Sequence, residues 1–99
     1  MPFVTVHPEE LRTAADSLSG AGSALTAQNA VAHPPITGVV PASADEVSAR
    51  TAAAFATHGM SYQQVSAQAT AIHEMFVATL TGSATSYAAA EAANVLAAG

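Results

Sequence analysis

Apolar positions along the first third of the chain return every seven residues: Leu11, Leu18 and Leu25, with Ala32 extending the series. Ala14, Ala15, Ala21 and Gly22 flank this stripe. A heptad of large and small apolar residues is the signature of a helical seam against a neighbouring helix. Pro8 suits the first helical position, where its missing N–H would be unpaired anyway. Glu9 and Glu10 then place negative charge at the positive end of the helix dipole. His33-Pro34-Pro35 predicts the end of this helix, because a residue before proline is pushed out of the α region. The first helix is therefore expected over about 8–32.

Residues 33–43 read as the turn of a helical hairpin, since this proline-bounded segment has no strand to pair with. Ser43-Ala-Asp-Glu46 fits a capping box that opens a second helix at about residue 44. Glu46 and Arg50 are spaced as a favourable i,i+4 pair. Beyond them Phe55, His58, Tyr62, Val65, Ala69, Ile72, Phe76 and Leu80 step by three and four, a helical and not a strand period. The pattern runs to about residue 97, and some fifty residues at 1.5 Å each would span roughly 75 Å. Gly59 and Gly82 are the expected bends or frays. The predicted fold is all-α: an antiparallel two-helix hairpin forming one domain over residues 1–99. Two helices touch along a single line and enclose no interior, and small scaffolds seldom supply enough core alone. A second helix pair would complete a four-helix bundle. This chain has none, so the other half is expected from a partner chain.

Composition sharpens that expectation. Alanine supplies 26 of the 99 residues, there is no Trp, and aromatics make up 5%. A methyl or methylene contributes roughly 0.8 kcal/mol on burial, against about 1.5–3 kcal/mol for a whole Leu or Phe side chain. An alanine-rich seam is thus closely packed but weakly anchored. Arg12 and Arg50 are the only basic residues besides histidine, against seven acids. No basic stripe can form, which argues against nucleic acid and against an anionic membrane surface. The absence of Cys excludes a disulfide scaffold. Residues 51–73 lack charge, but Gln63, Gln64, Gln68 and His58 argue against a membrane span. The first ten residues have neither a basic stretch nor an apolar core, so no classical signal peptide is expected.

Motifs for chemistry fail one by one. His73-Glu74 begins a zinc-protease pattern, but Val77 stands where the second His is required. No two of His7, His33, His58 and His73 have the i,i+4 spacing of paired helical ligands. Gly20-Ala-Gly22 follows no strand, and Leu25 occupies the place of the third glycine of a dinucleotide loop. No G-x-S-x-G is present. No catalytic residue, metal site, cofactor or small-molecule substrate is expected, and the chain is read as non-enzymatic. Tyr87 and Glu91 share a helix face within an otherwise alanine-rich stretch; on spacing alone they are an ordinary surface pair.

Taken together, Pro8-Glu9, the turn from Pro34 to Ser48, Ile72-His-Glu-Met-Phe-Val77 and Ser86-Tyr-Ala-Ala-Ala-Glu-Ala-Ala-Asn94 resemble the mycobacterial PE family over essentially the whole chain. The resemblance implies a hairpin that pairs with a PPE family protein in an elongated four-helix bundle. It implies export of that heterodimer by a type VII (ESX) secretion system to the cell surface or beyond. The family's Y-x-x-x-D/E export signal maps onto Tyr87 and Glu91. The accompanying W-x-G turn would come from the PPE partner, in keeping with a chain that has no Trp. A cytosolic chaperone would contact mainly the PPE subunit. Many relatives carry long C-terminal extensions, whereas this sequence stops at Gly99. On this reading Leu11, Leu18, Leu25, Phe55, Tyr62, Val65, Ile72 and Phe76 are shared between the hairpin seam and the partner interface. Two other readings stand beside it: a self-associating helical module, and an envelope- or membrane-associated component.

Overall fold

A computed structural model describes residues 4–99. It contains two helices, α1 (Pro8–Thr37) and α2 (Glu46–Ala98). α1 opens as its first residues dictate. The His7 carbonyl accepts from the N–H groups of Glu10 and Leu11, and Pro8 occupies the position where a proline costs no hydrogen bond. The Thr13 hydroxyl donates to the Glu9 carbonyl, reinforcing the first turn.

α1 does not stop before its prolines. It passes through Pro34 and Pro35 and ends at Thr37. Two prolines remove two donors, which would otherwise serve the carbonyls of Ala30 and Val31. Both residues are exposed, so water can take the donors' place. The fixed φ of proline is itself compatible with a helix. Past the prolines, the Gly38 N–H donates to the Pro34 carbonyl at 2.9 Å, and the Thr37 hydroxyl to the His33 carbonyl at 2.7 Å. These bonds close the last turn.

The start of α2 also differs from the capping box expected at Ser43. Asp45 is the cap: its Oδ1 accepts from the Ser48 N–H at 2.8 Å and its Oδ2 from the Ser48 hydroxyl at 3.0 Å. Its own carbonyl accepts the first helical bond, from Ala49. The Ser48 N–H foremost, then the Ser43 and Ser48 hydroxyls, hold the Asp45 carboxyl below the ordinary aspartate range. Ser43 therefore serves the capping carboxylate instead of capping the helix. The Glu46 carboxylate turns to Arg50 at 2.5 Å, an exposed pair of small energetic weight.

The described residues form two compact units. In Ser23–Ile72 the end of α1, the connection and the first half of α2 make a helical hairpin. Asn29 meets Ser66 there, and Ile36 meets Gly59, so the helices run antiparallel. In the other unit the described residues up to Gly22 pack with the second half of α2, from His73 on. Arg12 donates to Thr85 Oγ1 at 3.0 Å and His73 Nε2 lies 2.7 Å from the Leu18 carbonyl oxygen, again an antiparallel pairing. The buried side chains are Ala52 in the first unit and Ala15 and Ala84 in the second. Gly59 and Gly82, expected as bends or frays, lie within the unbroken run of α2.

Candidate functional site

Each unit has a seam of small residues. In Ser23–Ile72 the least exposed positions of α2 past its first turn are Ala52, Ala56, Gly59, Gln63, Ser66 and Thr70, facing Asn29, Ala32 and Ile36 of α1. In the other unit His73, Val77, Leu80 and Ala84 of α2 face Leu11, Ala15, Leu18 and Gly22 of α1. The steps along α2 alternate between four and three, a heptad repeat. Small side chains let the backbones approach closely. At Gly59 the Ile36 carbonyl oxygen occupies a point 2.0 Å from where a Cβ would sit. At Gly22 the His73 ring comes within 2.8 Å of the same point.

The large apolar residues of α2 lie beside this seam. Phe55, Tyr62, Val65, Ile72 and Phe76 each precede a seam position by one residue, which sets them about 100° around the helix. In Ser23–Ile72, Phe55, Val65 and Ile72 are 62%, 64% and 63% exposed, and Tyr62 is half exposed. Leu25 is likewise half exposed. In the other unit Phe76 is half exposed, while Leu11 and Leu18 are half-buried on the seam. Complete burial of a Phe, Val or Ile is worth about 1.5–3 kcal/mol each, and none of that is realised at Phe55, Val65 and Ile72 to more than a fraction.

The seam is polar at its centre in Ser23–Ile72. Tyr62 donates its hydroxyl proton to Asn29 Oδ1 at 2.7 Å, and the Asn29 amide donates to Ser66 Oγ. Gln63 Nε2 donates to the Asn29 carbonyl at 3.2 Å. This cluster joins one residue of α1 to three of α2. The Leu series does not find it, because its seven-residue steps run from Leu25 to Ala32 and pass over Asn29. Its seven-residue spacing from Gly22 and Ile36 was the available signal.

Tyr87 and Glu91 lie on the C-terminal stretch of α2. Tyr87 is 47% exposed and Glu91 is exposed. Among the described residues no hydrogen bond or ion pair joins them. Beside Tyr87 runs a shallow open groove on α2, lined by Thr79, Gly82, Ser83, Ser86 and Ala90. Every residue from Ala89 to Gly99 is exposed, so this end of the helix presents side chains on all its faces.

Among the described residues no cluster of three or more His, Asp or Glu side chains is placed to hold a metal ion. Among the described residues no helix is long and apolar enough to cross a membrane.

The chain is 59% identical over 98 residues to PE family protein PE13 of Mycobacterium tuberculosis, covering 99% of each. It is 51% identical over 94 residues to PE family protein PE8 of the same organism, spanning 34% of that longer protein. It is 52% identical over 94 residues to PE-PGRS family protein PE_PGRS33, spanning 20% of it. The sequence pattern of the PE family matches residues 4–94, and the chain belongs to the PE family.

Proposed function

We propose that this chain is a non-enzymatic subunit that completes a four-helix bundle with a PPE family protein and leaves the cell with it through a type VII secretion system. The observation that carries the pairing is the exposure of Phe55, Val65 and Ile72 beside a seam whose buried side chains are alanines. An apolar row of this kind is the surface a second helix pair would cover. Membership of the PE family supports a PPE protein as the owner of that pair. The cytosolic chaperone of such a complex acts mainly on the PPE subunit. Tyr87 and Glu91 form the export signal, on a stretch of α2 where both side chains are exposed. The destination is the cell surface or the medium.

The test is co-expression with candidate PPE proteins, followed by size exclusion with light scattering and circular dichroism. A one-to-one complex that is strongly helical, with the chain alone poorly helical or aggregating, is the expected result. A soluble, fully helical homodimer formed without any partner would replace this reading with self-assembly. Stable partitioning of the pure chain into lipid vesicles would replace it with an envelope component.

A further inference from the structure

Within Ser23–Ile72, α2 could turn either of two neighbouring faces toward α1. One carries Ala56, Gly59 and Ser66 and is turned inward; the other carries Phe55, Val65 and Ile72 and is left in water. Rotating α2 by one residue, about 100°, would exchange them. Apolar burial alone favours the exchanged state, because it replaces small side chains in the seam with large ones. Two features oppose it. The Ile36 carbonyl fits against Gly59 only because no Cβ is there, and the rotation would bring His58 to that point. Asn29 is the second. Its amide donates to Ser66, its Oδ1 accepts from Tyr62, and its carbonyl accepts from Gln63. After rotation Val65 would replace Ser66 and leave the half-buried Asn29 amide facing an apolar side chain in place of its Ser66 acceptor, a cost that partial access to water offsets only in part. A polar residue at one heptad position is a known means of fixing how helices align.

We propose that Asn29 is a positioning residue of the partner surface: it fixes the rotation of α2 so that Phe55, Val65 and Ile72 stay outward. The proposal rests on the partner reading above for its purpose; the lock is read on the free chain where that is folded and on its PPE complex where it is not. The chain has no Cys, so single reporters can be introduced into the full chain. Val65→Cys should react rapidly with a maleimide and Thr70→Cys, on the seam, slowly. Adding Asn29→Leu should reverse the order, slowing Val65→Cys by about tenfold and accelerating Thr70→Cys. Asn29→Asp keeps acceptors for the Tyr62 and Ser66 hydroxyls and should restore the original order. Unchanged rates in Asn29→Leu, or an Asp variant that behaves like the Leu one, would overturn the lock. If Asn29→Leu loses its helicity, Tyr62→Phe with Ser66→Ala decides, since it removes two of the bonds and leaves Asn29 in place. The same reversal supports the lock and unchanged rates refute it. If instead the free wild-type chain is unfolded, dissociation of the PPE complex is measured. Asn29→Leu should speed it and Asn29→Asp should not; equal rates refute the lock. Failure of any PPE protein to protect Val65→Cys, with the reversal intact, would defeat the partner reading and leave the lock standing.

Discussion

Gly59→Ala and Gly82→Ala are the same substitution in the same helix, and the structure predicts opposite signs. In a helix interior Ala is favoured over Gly by roughly 0.5–1 kcal/mol, because Gly loses more backbone freedom on folding. At Gly82 an added Cβ meets nothing within 4 Å, so that gain should appear undiminished. At Gly59 the Cβ would lie 2.0 Å from the Ile36 carbonyl oxygen and 2.7 Å from its carbon. Real Cβ atoms essentially never come closer than 3.0 Å, so the two backbones must part by about 1 Å. The obstacle is main chain and cannot swing aside as a side chain would. Such overpacking costs typically about 1–3 kcal/mol, which exceeds the propensity gain. The net effect expected at Gly59 is a loss of up to about 2 kcal/mol. For a domain of this size 1 kcal/mol moves Tm by about 4–8 °C. Thermal unfolding of the folded species, the PPE complex where the chain alone is poorly helical, followed by far-ultraviolet circular dichroism, should show Gly82→Ala melting above the parent and Gly59→Ala clearly below it. Equal upward shifts in both variants would refute the close approach of α1 and α2 at this point.

Four further outcomes are expected. Tyr87→Ala should leave the heterodimer intact and abolish its appearance in the culture filtrate of a mycobacterial host; normal secretion would remove Tyr87 from the export signal. Phe55→Ala or Ile72→Ala should weaken assembly with the partner by about 2–5 kcal/mol if the bundle buries them fully, read by titration calorimetry, and an unchanged affinity would place them outside the interface. Gly22→Ala should push the His73 ring away and break its contact with the Leu18 carbonyl, so the His73 imidazole resonances should shift by NMR while those of His58 stay put. Asp45 binds its proton less readily in the folded chain than in the unfolded one. Its capping contribution is therefore complete above the ordinary aspartate range and is lost as pH falls through the lowered folded value. Asp45→Asn should accordingly flatten the acid end of the Tm–pH profile, and an unaltered profile would show that the carboxylate does not cap α2.

Much of the helical architecture was legible because its signals are local. Pro8 with two following acids, and a run of period-3.6 residues from Phe55 to Leu80, need only neighbouring residues to act. The misread points are those where two local signals compete. Pro34 and Pro35 signal a stop, but the Thr37 and Gly38 bonds to His33 and Pro34 carry the helix past them. Ser43 and Asp45 are both good caps, and Asp45 is the one whose carboxylate reaches the Ser48 N–H. The two glycines of α2 look alike in sequence. Only the position of Ile36 separates Gly59, which is a contact, from Gly82, which is not.

The sequence by itself determined that the chain is helical, rich in small residues, deficient in large buried anchors and a member of the PE family, since propensity, periodicity and family motifs are all written along the chain. It also determined which residues share a face of α2, because 3.6 residues per turn admits no other grouping. It did not determine which of two adjacent faces turns toward α1. The tertiary structure decided that, one residue away from the largest apolar stripe. A face without bulky side chains lets the backbone of Ile36 approach Gly59, and it presents Ser66 and Gln63 to Asn29. Those are contacts between residues some twenty to forty positions apart, which no local pattern contains.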